Sequence, residues 1–77
     1  MDWIVSQDGR TMVNADSIRQ IKIVGSGILC FEVSTDPNKY IVLGSYKDEN
    51  RTSDVFVRLV ETLNMPFTDP VYYMPED

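Results

Sequence analysis

The chain has no histidine and only one cysteine. Those two shortages remove most of the familiar devices for catalysis. A Ser-His-Asp or Cys-His arrangement needs an imidazole to take the nucleophile's proton. A zinc site needs several Cys or His ligands, which one thiol cannot supply. Cys30 cannot pair within the chain, and it sits in the apolar run Ile28-Leu29-Cys30-Phe31. A reduced cysteine in such a run packs as a small hydrophobe, whereas reactive thiols occupy electropositive, partly exposed settings. Cys30 is therefore read as a packing residue.

Long hydrophobic runs are missing too. No apolar stretch approaches the roughly 20 residues of a membrane-spanning helix. Met1-Asp2-Trp3 opens the sequence with neither a basic segment nor an apolar h-region, so no signal peptide is expected and the expected location is the cytoplasm. Basic residues are scarce, 7 against 12 acidic, for a net charge of −5. Such a balance repels phosphate backbones and anionic headgroups, so neither nucleic acid nor a membrane is expected as a partner.

The remaining motifs of chemistry are incomplete. Gly25-Ser26-Gly27 is not followed by Gly-Lys-Ser/Thr, and a strand pattern comes next, so it reads as a hairpin turn. Asp8 with Asp16, and Asp48 with Glu49, fall at turns and caps, where local hydrogen bonding accounts for them. Asp48-Glu49-Asn50 lacks the ligand spacing of a calcium loop. No catalytic residue, metal or cofactor is expected.

What is present is an order. At 77 residues, 43% of them hydrophobic and 25% charged, the chain is one small globular domain. Five β-type runs cover residues 3–5, 11–15, 18–24, 28–34 and 39–43, and one amphipathic helix follows within 48–64. Asp8-Gly9 between the first two runs signals a type I′ hairpin, and residues 14–17 form a tight corner. Ile21 and Ile23 share one face of the third run. Ile18 is out of phase with them, which indicates a bulge or a bend near Arg19. Leu29, Phe31 and Val33 alternate with Cys30, Glu32 and Ser34 and are expected to face the core. Pro37 suits the second position of a turn within 35–38. Tyr40-Ile41-Val42-Leu43 is apolar on both faces, as in a central strand or one that meets a partner, and Gly44 is expected to close the strand region.

Val55, Phe56, Leu59, Val60 and Leu63 form the helical stripe. Asp48 is the expected N-cap with Ser53 as the fallback, Asn64 is the C-terminal stop, and Pro66 prevents continuation. The predicted fold is thus α+β: an antiparallel β-meander of about five strands (1–44), the helix (48–64), and a short extended, aromatic and acidic segment (65–77). Phe56, Leu59, Val60 and Leu63 should pack on a sheet face of Ile21, Ile23, Leu29, Phe31, Val33, Ile41 and Leu43.

The aromatic residues are the remaining functional signal. Trp and Tyr are enriched at interface hot spots, and they also build the cores of small domains. Trp3 is placed in the core. Tyr40, Tyr72, Tyr73 and Met74 are the candidate interaction surface. The segment that holds the last three either packs back on the domain as an edge strand or docks on another subunit.

Trp3-Ile4-Val5-Ser6-Gln7-Asp8-Gly9, Val13-Asn14, Leu43-Gly44-Ser45-Tyr46-Lys47 and Tyr73-Met74-Pro75-Glu76 together resemble a family of short, uncharacterised proteins of Firmicutes-type bacteria and their phages. That resemblance spans nearly the whole chain and implies an origin but no activity. Asn14-Ala15-Asp16-Ser17-Ile18 and Lys39-Tyr40-Ile41-Val42 are also similar in layout to flagellar and swarming-motility proteins of the FlbD type, which lack the longer tail. The expected function is a non-enzymatic protein-interaction module of phage or mobile-element origin. It is expected to bind a protein partner and to self-associate as a homo-oligomer, a dimer. The alternative is a small regulatory domain that binds nucleic acid or a small ligand.

Overall fold

The computed structural model describes residues 2–33, 36–65 and 69–77. Two strands, β1 (Trp3–Val5) and β2 (Met12–Asn14), lead through a 3₁₀ turn (Ala15–Ser17) into β3 (Ile18–Val24), β4 (Gly27–Glu32) and β5 (Ile41–Ser45). The helix α1 (Glu49–Leu63) follows, and β6 (Val71–Tyr73) comes last. The architecture is α+β, with strands, then one helix, then an extended segment. The strands are shared between two three-stranded sheets, in the orders β2-β1-β6 and β3-β4-β5. The second sheet is an antiparallel meander. In the first, β1 is central, antiparallel to β2 and parallel to β6.

Local chemistry explains the connections. Between β1 and β2 the Gly9 N–H donates to the Ser6 carbonyl at 2.9 Å, and Gly9 has φ of +72°. Asp8 keeps a negative φ, so the loop is a four-residue one with a single left-handed glycine instead of the expected type I′ turn. Its Asp8 carboxylate accepts from the Ser6 hydroxyl and the Arg10 N–H, and those bonds hold its pKa below the ordinary carboxylate value. Asn14 Oδ1 accepts from the Asp16 N–H at 2.9 Å, which makes the tight corner that carries the chain between the sheets. Gly25, with φ of +60°, is followed by Ser26 at an ordinary φ, the pattern of a type II′ hairpin. In the connection to β5, the Lys39 N–H closes a turn on the Asp36 carbonyl with Pro37 second; Ser34 and Thr35 lie outside the described residues.

Two irregularities shape the second sheet. The register of β3 on β4 shifts between Ile18 and Gln20, the bulge that the phase of Ile18 implies. On the other side Ile28 faces Gly44 while Leu29 faces Val42, so Leu43 is the extra residue of a second bulge. Its side chain is fully buried, and its carbonyl accepts from the Gln7 N–H at 2.7 Å, which links the two sheets. β5 is thus an edge strand, and Gly44 lies inside it rather than closing it.

Asp48 caps α1, accepting from the Arg51 N–H at 2.8 Å, and Asn64 ends it. The Pro66 stop lies outside the described residues. Val55 and Leu59 are fully buried, and Phe56 packs partly against the core. Val60 and Leu63, expected inside, lie at the margin and are exposed. Thr52 is buried in their place, its hydroxyl 2.9 Å from the Ser26 carbonyl and 2.8 Å from that of Asp48.

The core joins both sheets and the helix through Ile4, Val13, Ile28, Cys30, Leu43, Tyr46, Val55, Leu59 and Met74. This reverses the expected face of β4. Ile28 and Cys30 point inward, paired with Ile23 and Ile21, while Leu29 and Phe31 lie on the opposite face and Val33 is 61% exposed. Ile21 and Ile41 pack against the core as expected, but Ile23 sits at the exposed rim.

Candidate functional site

Alternation along the first sheet sorts its side chains by face. Ile4, Val13 and Tyr72 are cross-strand neighbours, and all three turn to the core. The residues between them turn away from it in two rows, Asn14-Trp3-Val71 and Met12-Val5-Tyr73. Five of those six side chains are apolar and none is charged. Trp3, Met12 and Tyr73 are exposed, the last at 70%, and Val5 and Val71 are half-buried.

The four residues expected to form one surface are separated by this geometry. Tyr73 belongs to the exposed face of the first sheet. Tyr72 alternates to the other side and packs against the core, where burial raises its phenol pKa. Met74 is itself in the core, 3% exposed, because the segment returns beside β1 with the Met74 N–H donating to the Val5 carbonyl at 3.0 Å. Tyr40 is exposed but lies on the second sheet's side of the molecule, in edge contact with Phe31 at 6.2 Å. Trp3, placed in the core from sequence, is instead the centre of the exposed face. Local pattern alone does not mark Met12, Val5 or Val71. The signal that finds them is the period-two reading of β1 once β6 is known to lie beside it.

The tail that carries β6 is fastened at several points. Gln7 Oε1 accepts from the Ser45 N–H and Gln7 Nε2 donates to the Glu76 carbonyl, both at 2.8 Å. The Tyr46 hydroxyl donates to the Pro75 carbonyl at 2.9 Å. Arg51 donates to the main-chain oxygen of Asp77 from Nε and Nη2, at 2.9 and 2.7 Å. Apart from the Ser45–Gln7 bond, which ties the β1–β2 loop to β5, each of these joins the tail to a residue distant in sequence, so the exposed face rests on a fixed frame.

The outer face of the second sheet has another character. Phe31 is only 9% exposed although it faces away from the core. It is covered by the Arg19 guanidinium at 5.4 Å, the Lys22 ammonium at 5.5 Å and the Tyr40 ring. Beneath the same sheet Cys30 is fully buried, and burial, with the nearby Glu32 charge, pushes its thiol up to about 11. A thiol so placed is almost entirely un-ionised at neutral pH and is a poor nucleophile. Among the described residues no group of His, Cys, Asp and Glu is arranged to hold a metal ion, and no helix is long and apolar enough to cross a membrane. Comparison with family models, with curated proteins and with solved structures finds no match to this chain.

Proposed function

We propose that the chain is a non-enzymatic protein-interaction module whose contact face is the outer side of β2-β1-β6. The observation that carries this reading is the uncharged double row on that face. Trp3, Met12 and Tyr73 are exposed there, with Val5 and Val71 between them. Exposed apolar side chains scattered singly are ordinary, but a contiguous set in register marks a surface that is covered when the protein works. Trp, Tyr and Met are also the residue types enriched at the centres of protein interfaces, where charge is depleted.

The test is affinity capture from the native host with the wild-type chain and with a Trp3→Asp/Tyr73→Lys variant. Both substitutions lie on the exposed face, so circular dichroism should show the same fold. The expected result is a discrete protein retained by the wild type and lost with the variant. Equal retention by both, or no retention by either, rejects the face. Sedimentation of the same pair shows whether the partner is a second copy: the wild type is then a dimer and the variant a monomer.

A further inference from the structure

With seven residues β3 is the longest strand, and it lies at an edge of its sheet. The two-residue turn after it fixes the direction of its main-chain groups. Residues flanking such a turn exchange both hydrogen bonds, so Val24, Lys22 and Gln20 face β4. The N–H and C=O groups of Ile21 and Ile23 consequently point to the open side. Of the usual protections of an edge the strand carries two charges, Arg19 and Lys22, and one bulge. It has no proline, and its bulge is confined to its start at Arg19.

The two sides of that edge differ in chemistry. On the core side a groove of about 300 Å³ runs between β3 and α1, lined mainly by apolar residues, Ile18, Ile21, Phe56, Val60 and Leu63 among them, and also by Arg19 and Gln20. This is where the helical stripe stays partly uncovered. On the outer side stand Arg19 and Lys22 over Phe31. The cross-strand neighbours there, Gln20, Leu29, Phe31 and Val42, include no carboxylate.

We propose that the β3 edge docks an extended segment of another protein in which apolar and acidic side chains alternate. Its main chain continues the sheet by bonding Ile21 and Ile23. Its apolar side chains enter the groove beside α1, and its carboxylates meet Arg19 and Lys22. Strand addition draws affinity from main-chain bonds and specificity from alternate side chains, which the two unlike sides of β3 supply. Charge selects this occupant over a second copy, since β3 against β3 would crowd Arg19 and Lys22 of both chains together. The site is distinct from the Trp3–Tyr73 face and does not depend on it.

The experiment titrates the isotopically labelled full chain with a nine-residue peptide alternating Glu and Leu. A Lys/Leu peptide and a peptide of the same Glu and Leu residues in two blocks serve as controls. The expected result is amide shifts at Ile21 and Ile23, with both controls at least about tenfold weaker, a difference of ~1.4 kcal/mol. Lys22→Glu should reverse the preference between the Glu and Lys peptides. Ile23→Pro should abolish binding, because proline removes an outward N–H while leaving the ladder to β4 intact. If Ile23→Pro does not fold, the reversal by Lys22→Glu decides alone. Trp3→Asp should bind the peptide as the wild type does, so failure here and failure of the apolar face are told apart. Three outcomes overturn the proposal: no shifts at about millimolar peptide, a dimer that Ile23→Pro dissociates, or single-stranded RNA binding that displaces the peptide from β3.

Discussion

Tyr46 folds back across Gly44 so closely that a β-carbon on residue 44 would lie 2.7 Å from the Tyr46 hydroxyl oxygen. The glycine is required by this approach, not by its backbone angles, since its φ is not in the left-handed region. Tyr46 cannot simply swing away, because it is buried and its hydroxyl holds the Pro75 carbonyl. Gly44→Ala should therefore cost about 1–3 kcal/mol, in the range of overpacked cores. Tyr46→Phe, which deletes only the hydrogen bond, should cost ~0.5–1.5 kcal/mol. In a Tyr46→Leu background the cost of Gly44→Ala should shrink, because the two residues share one contact. Denaturant unfolding of the four chains checks this, and additive costs would reject the contact.

The helix offers a sharper test of which stripe is inside. Leu59 is fully buried, so Leu59→Ala should cost roughly 2–5 kcal/mol. Val60 is one residue on and exposed, so Val60→Ala should stay within about 1 kcal/mol. Thermal midpoints measure both. Equal losses would restore the wider stripe that periodicity alone suggests.

Helix, cap and the positions of the turns are legible because each is written in a few neighbouring residues, whereas the type of the Asp8-Gly9 turn is not. Asp48 and Asn64 bound the helix through their own local bonds, and the phase of Ile18 reveals the bulge at Arg19. The inward face of β4 was not legible. In Gly27–Glu32 the side of Leu29 and Phe31 is wholly uncharged whereas that of Ile28 and Cys30 ends in Glu32, so period two favours the side that faces out. Phe31 is the largest residue of the run, and its burial comes from Arg19, Lys22 and Tyr40, not from the core. Nor could local pattern place Trp3 on an exposed face. That depends on β6 arriving parallel to β1 from the far end of the chain, a pairing without a local signal.

Burial of Cys30 also sets an alkaline limit. Its folded pKa, about 11, stands above the ordinary 9.0, so folding favours the protonated thiol. The stabilisation is complete below pH 9 and is lost as pH rises toward 11. Tyr46 is shifted in the same direction by burial and adds to the loss at higher pH. Stability should thus fall less between pH 8 and 10.5 in Cys30→Ala than in the wild type, as denaturant midpoints at the two pH values would show. At pH 8 a thiol reagent should label Cys30 only at the rate of unfolding. Rapid labelling of the native chain would contradict the buried placement.

The tail gives the most direct measure of what belongs to the monomer. Removal of residues 69–77 strips β6 from β1, takes Met74 from the core and frees Gln7, Tyr46 and Arg51 of their tail partners. A small domain has only about 5–15 kcal/mol in hand, so this deletion should leave an unfolded chain. Met74→Ala, a milder change, should cost roughly 2–5 kcal/mol because the side chain is buried. Concentration separates the two places the tail could pack. Contacts within one chain give a thermal midpoint independent of protein concentration, whereas a tail lodged on a second subunit makes the midpoint rise with it. With the outer-face contact removed by Trp3→Asp/Tyr73→Lys, the parallel pairing of β1 with β6 in one chain requires the first behaviour, with or without Met74→Ala. A midpoint that climbs with concentration in that variant and loses the dependence when Met74→Ala is added would move β6 to a neighbour's sheet.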